Sequence, residues 1–334
     1  KPPSGGRVIL YSMARKLFLT GVALLAIATV AMSQTKQAPA PIEEPEGVIR
    51  GGVNLVNVLA TVRGKNGALV PNLQQADFKV FEDGKEQEIR YFTRESNLPL
   101  TIGMLIDVSG SMENLIPVEQ RAGGQFFEQV LRKDDLAFLI SFGKDSELLQ
   151  DSTSSARILQ RGLDELKLNT AVGGLHPGPV PTIQNQAGTV LYDAVFLAAD
   201  ERLRQETGRK VIILITDGED TGSRVSLQKA IEAAQKADAI IYSIFYNDPR
   251  YSSNQGVLKR MSEETGGRVF DVGRRLNLDD IFKQIQEEMR TQYSVSYSPS
   301  NSVKDGGYRK LELKAVNKDY KVQARKGYYA IEQE

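Results

Sequence analysis

Residues 98–290 predict a doubly wound α/β fold with a mostly parallel sheet. The segments on either side predict an accessory β-sandwich-like domain. Three observations carry this reading. Short apolar runs alternate with helix-length amphipathic segments through the middle of the chain. One run, Val211–Ile215, is apolar at every position, as suits a parallel strand covered on both faces. Both ends instead alternate apolar and polar residues, the period of strands with one wet face.

The elements follow in order. Residues 13–34 (MARKLFLTGVALLAIATVAMSQ) hold a Met, two basic residues (Arg15, Lys16), an apolar run from Leu17 to Met32, and small residues at Ala31 and Ser33. That is the layout of a secretory signal peptide with cleavage expected near Ser33, so residues 1–33 read as an upstream extension plus signal. The sixteen residues of the run fall short of the roughly 20 that a spanning helix needs, and the mature chain is expected to be secreted or periplasmic, with no membrane span. Residues 34–47, rich in Pro, Gln and Glu, read as an extended linker.

Residues 48–95 form an N-terminal β unit. Val56, Val58, Ala60 and Val62 alternate with other positions, and Asn66-Gly67 and Asp83-Gly84 tolerate the positive φ of tight hairpins. Within 98–290, strands are expected at Leu100–Ile106, Leu136–Phe142, Val211–Ile215, Ala239–Tyr246 and Arg268–Asp271. Helices are expected over 114–132, 154–167, 189–206, 226–237, 254–265 and 277–290. Residues 291–330 return to alternation: Tyr293, Val295 and Tyr297, then Leu311, Leu313 and Ala315, then Tyr320, Val322 and Ala324. Neither end is large enough to hide its apolar face alone, so the two are expected to pack together, with two separate flaps as the alternative.

Composition narrows the chemistry. The 334 residues include no Cys and a single His, which excludes thiolate metal sites, catalytic thiols, disulfides and HExxH proteases. Forty-two basic residues balance 42 acidic ones, and nucleic acid is not an expected partner. Without residues 1–33 the balance is 38 to 42, mildly acidic.

Asp107-Val108-Ser109-Gly110-Ser111 stands directly after the first central strand, and Thr216-Asp217-Gly218 after the most apolar one. Ligands of open α/β sheets bind beyond such carboxyl ends. A third piece, Gly188-Thr189-Val190-Leu191-Tyr192-Asp193, opens a helix with another hydroxyl. Two aspartates with hydroxyls between them describe an all-oxygen site, which suits a hard divalent cation such as Mg2+.

These three pieces resemble the von Willebrand factor type A domain family, whose metal-ion-dependent adhesion site joins an Asp-x-Ser-x-Ser loop, a Thr from a second loop and an Asp from a third. Asp107, Ser109, Ser111, Thr189 and Asp217 occupy the five positions in family order. The resemblance implies that Ser109, Ser111 and Thr189 give hydroxyl oxygens to Mg2+ (or Mn2+ or Ca2+). Asp107 and Asp217 would act directly or through water, leaving one position open for an acidic side chain of a partner protein. The phrases DFKVFEDGKEQEI and YRKLELKA…VQARKGYYA extend the likeness to a bacterial exported subgroup of the family. The Gly/Pro-rich loop 169–187 departs from the adhesion receptors and is expected to border the opening.

The function expected is therefore a non-enzymatic, metal-dependent adhesion or interaction module. Three other readings compete. In the first, Asp107, Ser109 and Ser111 serve only as helix caps. A resemblance to magnesium-dependent phosphatases of the haloacid dehalogenase type would imply Asp107 as nucleophile, but that family places its general acid two residues on, where Ser109 stands. A structural envelope protein would need no metal. His176, in the loop, reads as a solvated residue, Arg274-Arg275 as a solvated face, and Tyr293, Tyr297, Tyr328 and Tyr329 as packing residues.

Overall fold

The computed structural model describes residues 55–94, 98–168, 188–273 and 276–331. The signal-like segment, the linker, His176 and the rest of loop 169–187, and Arg274-Arg275 lie outside the described residues. In chain order the elements are β1 (Val56–Arg63), β2 (Phe78–Glu82), β3 (Lys85–Gln87), β4 (Ile89–Arg94), β5 (Leu100–Asp107), α1 (Ile116–Val130), β6 (Leu136–Phe142), β7 (Ser146–Thr153) and α2 (Ala156–Asp164). There follow α3 (Leu191–Phe196), which runs on as a π-helical turn over Leu197–Leu203, then β8 (Arg209–Thr216), α4 (Leu227–Lys236), β9 (Ala239–Phe245), α5 (Gln255–Thr265), β10 (Val269–Asp271) and α6 (Leu278–Arg290). The last four strands are β11 (Tyr293–Tyr297), β12 (Tyr308–Ala315), β13 (Lys321–Ala324) and β14 (Gly327–Tyr329).

The middle of the chain is a six-stranded sheet in the order β10-β9-β8-β5-β6-β7. All neighbours are parallel except β7, which runs antiparallel to β6 at the edge. β7 was not among the expected strands. Its sequence, SELLQDST, is mostly polar and partly exposed, because an edge strand pairs on one side only.

Both faces of the sheet are covered. On one side Ile102, Met104 and Ile106 of β5 pack with Phe126 and Phe127 of α1, Leu159 of α2, and Ile281 and Ile285 of α6. On the other, Leu105, Ile212 and Leu214 pack with Leu191 and Val195 of α3, Ile231 of α4 and Leu258 of α5. Each such fully buried aliphatic side chain contributes about 1.5–3 kcal/mol. Gly103 is required at the sheet centre, since a Cβ there would stand 2.5 Å from the Phe138 ring.

The flanking segments build the accessory β-sandwich-like domain. One antiparallel sheet has the order β13-β1-β11-β4 and the other β14-β12-β2-β3, so each joins strands from both ends of the chain. Val58, Val62, Val80, Tyr293, Val295, Tyr297 and Leu311 fill the space between them. Tyr297 and Tyr328 both donate their hydroxyls to the buried Glu82 carboxylate, at 2.6 and 2.9 Å. The Asp83-Gly84 hairpin has positive φ at both positions, 47° and 82°. Glu288 of α6, fully buried, pairs with Arg63 of β1 and with Arg268 at 2.6 Å, linking the sandwich to the α/β layers. Among the described residues, no helix is long and apolar enough to cross a membrane.

Candidate metal centre

β5 and β8 are adjacent and parallel, so their carboxyl ends place Asp107 and Asp217 on the same edge of the sheet. Asp107 is wholly buried and Asp217 nearly so. Past β5 the chain turns through a short 3-10 segment, Gly110–Met112, before α1 begins. Ser109 stands at the N-cap of that segment but makes no capping bond with its side chain. Its Oγ lies instead 3.1 Å from Ser111 Oγ, which donates to Asp217 Oδ2 at 2.5 Å. A row of oxygens therefore runs from Ser109 through Ser111 to Asp217, a use of these hydroxyls that capping does not explain.

Asp107 lies at the inner end of this group. Its Oδ1 accepts from the Ser109 amide at 2.9 Å and its Oδ2 from Thr216 Oγ1 at 2.6 Å. Thr216 Oγ1 in turn accepts from the Gly218 amide, and Asp217 Oδ1 from the Glu219 amide, each at 3.0 Å. Burial, helped by the like charge of Asp217, outweighs the hydrogen bonds from Ser109 and Thr216 and lifts the Asp107 acid from 3.8 to about 6. Gly218 has a φ of +82°, and a Cβ there would sit 2.4 Å from the Asn254 carbonyl, so the turn behind Asp217 needs glycine.

Thr189 sits on the next loop, half-buried. The Val108 amide donates to the Phe142 carbonyl and the Val190 amide to the neighbouring Gly143 carbonyl, at 2.8 and 2.9 Å, so the end of β6 joins this loop to the Asp107 loop. On the other side the Thr189 amide donates to Thr221 Oγ1 at 3.1 Å, and its carbonyl accepts from the Thr221 and Gly222 amides. Asp107, Ser109, Ser111 and Asp217 are thus brought together by direct or shared hydrogen bonds, and Thr189 is tied to them through backbone.

Three contributors escaped the sequence reading. Thr216 supports Asp107, and its place directly before Asp217 was the available signal. Asp193 accepts from the Arg224 and Val225 amides, and Asp220 from the Tyr192 amide, which locks the loop after Asp217 onto the start of α3. Both are acids with a hydroxyl or an amide-rich turn nearby, a pattern too common to single out. The donor set fits a hard cation: every side-chain donor is oxygen, two are carboxylates, and burial works against charge on Asp107. Among the described residues no three His, Asp or Glu side chains form a metal cluster, so any ion here would depend on hydroxyls as well.

Residues 102–219 match the model of the von Willebrand factor type A domain. No curated protein matches the chain closely enough to count as a relative. Among solved structures it is similar to an aerotolerance-related membrane protein from Bacteroides fragilis NCTC 9343 (17% identity, 57% of this chain and 98% of that one, TM-score 0.44). It is also similar to proximal thread matrix protein 1 from the mussel byssus, in a form with a zinc-occupied MIDAS motif (14% identity, 63% of this chain and 50% of that one, TM-score 0.46). A third is a von Willebrand factor type A protein from Catenulispora acidiphila (13% identity, 76% and 71%, TM-score 0.45).

Proposed function

We propose that the protein is an exported, non-enzymatic binding module that holds Mg2+ (or Mn2+ or Ca2+) on Asp107, Ser109, Ser111, Thr189 and Asp217. Through that ion it grips an acidic side chain of a partner protein. The observation that carries this reading is the oxygen row Ser109–Ser111–Asp217 with buried Asp107 behind it. Hydroxyls and carboxylates suit a small hard cation. Two carboxylates at most face its two charges, and water would separate some of them from it, so an open position favours an anionic oxygen over a neutral one. The bound ion would supply that attraction. The residues of this chain position it, and the β5–α1 and β8–α4 loops hold them in place.

The same geometry disfavours the phosphatase reading. The position two residues beyond Asp107, where that chemistry needs a general acid, holds Ser109, whose hydroxyl lies 3.1 Å from that of Ser111. We also propose the domain division 1–33, 34–47, 48–95, 98–290 and 291–330, with the first piece removed on export, which rests on the signal-like segment.

The test is thermal unfolding with magnesium and with chelator. A cation binding only the folded chain adds RT ln(1 + [L]/Kd), about 2.7 kcal/mol at one hundred times Kd. Joint replacement Ser109→Ala and Asp217→Ala should remove that gain, and chelator or Asp107→Ala should abolish capture of an acidic partner. Partner binding that survives complete metal removal would refute the reading.

A further inference from the structure

Ser111 and Asp217, two members of the oxygen row, also line a cleft of about 320 Å3, together with Met112, Leu115, Tyr246 and Pro249. Met112 is 1% exposed and Tyr246 8%, so apolar surface lies deep in the cleft, while Pro249 is exposed at its mouth. Both walls continue from the loops that carry the candidate ligands. Met112 follows Ser111 directly, and the Leu115 amide donates to the Met112 carbonyl at 2.9 Å, which sets the two side chains on one face of that turn. Opposite, the loop between β9 and α5 is tied to the Asp217 loop at both ends. The Tyr246 amide donates to the Thr216 carbonyl at 3.1 Å, and the Asn254 amide to the Asp217 carbonyl at 2.9 Å.

The other two charged residues of the cleft, Asp248 and Arg250, neutralise one another. Arg250 Nε donates to the two Asp248 carboxylate oxygens at 3.0 and 3.1 Å, and the Arg250 amide donates to Oδ1 at 3.0 Å. Neither is left to draw in a charged group, so attraction for an anion resides in the ion and the depth of the cleft favours an apolar group. A carboxylate on the open position of the ion stands at the end that Ser111 and Asp217 line. The side chain beside it in the partner then faces Met112, Leu115 and Tyr246. At about 320 Å3 the cleft is at the small end of ligand-sized clefts, about 300–1,000 Å3, which suits one aliphatic side chain.

We infer that this cleft receives a leucine-like side chain adjacent to the acidic residue on the ion, so that a partner protein is recognised by an acidic–aliphatic pair. The inference rests on the proposed cation site and adds the second residue of the partner. Burying a leucine side chain on binding tightens it by about 10–100-fold.

The probes are three blocked peptides, Ac-Gly-Asp-Gly-amide, Ac-Leu-Asp-Gly-amide and Ac-Gly-Asp-Leu-amide, titrated with magnesium into the full chain and followed by methyl NMR. One of the leucine peptides should bind about 10–100-fold more tightly than the glycine peptide and should shift the Met112 and Leu115 methyl signals. Leu115→Ser should reduce that preference to within about threefold while leaving the glycine peptide and the magnesium-dependent rise in melting temperature unchanged. Pro249→Ser, at the exposed mouth, supplies the reading if Leu115→Ser does not fold. Absence of a leucine preference in a chain that magnesium stabilises would overturn the inference and leave the cation site standing, as would a preference that persists in a folded variant. Methyl shifts that follow protein concentration without peptide would assign the cleft to a second copy of the chain, and also overturn it. A chain whose melting does not respond to magnesium would instead overturn the site itself, and this inference with it.

Discussion

Replacing Asp107 by Asn isolates the cost of keeping a buried charge at the site. The Asp107 acid is lifted from 3.8 to about 6, chiefly by burial and further by Asp217. An acid with a raised folded pKa binds more protons folded than unfolded between those values. Stability is therefore fully present below about pH 4 and falls as pH rises through 6. At ~1.4 kcal/mol for each pH unit of that window, the loss comes to about 3 kcal/mol by pH 7. Asparagine does not titrate, and its altered hydrogen bonding to Thr216 adds an offset that does not depend on pH. In chelator, the stability of Asp107→Asn minus that of wild type should thus grow by about 3 kcal/mol from pH 4 to pH 7, or ~6–12 °C in Tm at ~2–4 °C per kcal/mol. Urea unfolding at four or five pH values measures it. With magnesium at pH 7 wild type should recover the loss and the variant should not. A flat difference across the range would refute the claim that Asp107 carries an uncompensated buried charge.

Glu288→Ala should destabilise the chain by about 3 kcal/mol, because it strands Arg63 and Arg268, both largely shielded from water; the value sits at the low end of ~3–5 kcal/mol since some exposure remains. A variant within 0.5 kcal/mol of wild type in urea, on the order of the usual surface effect, would contradict that role. Gly266→Ala should cost about 1–3 kcal/mol, since Gly266 ends α5 at a φ of +92° and its Cβ would press on the Arg325 amide at 2.8 Å; unchanged thermal unfolding would count against it. Deleting 291–334 removes β11 to β14, the partners of β1 and β2, so limited proteolysis should cut 55–94 quickly while the α/β layers persist. Equal resistance of 55–94 in both forms would show that those strands stand alone.

The α/β core was legible because burial leaves a plain trace. A strand covered on both faces is apolar throughout, as Val211–Ile215 is, and a helix on its flank shows a stripe, as Ile281, Ile285 and Met289 do. β7 left no such trace, since an edge strand is partly wet and its polar residues look like loop. The sandwich strands were visible one by one through alternation, but their interleaving depends on long-range pairing that no local pattern encodes. At the candidate site, Asp107, Ser109, Ser111 and Asp217 were legible because each follows a strand end at a fixed spacing. Thr216, Asp193 and Asp220 were harder, since an acid or hydroxyl beside a turn is common and nothing local marks the partner it will meet.

The central claim is that one divalent cation sits on the oxygens gathered beyond β5 and β8. Crystals grown with manganese, measured for anomalous scattering, test it most directly. One strong peak is predicted within direct bonding distance of Ser109 Oγ and Ser111 Oγ, beside Asp217 and the Thr189 hydroxyl, and absent from crystals of the Ser109→Ala, Asp217→Ala double variant. A manganese peak elsewhere, or none at this position with the ion in excess, would contradict the account.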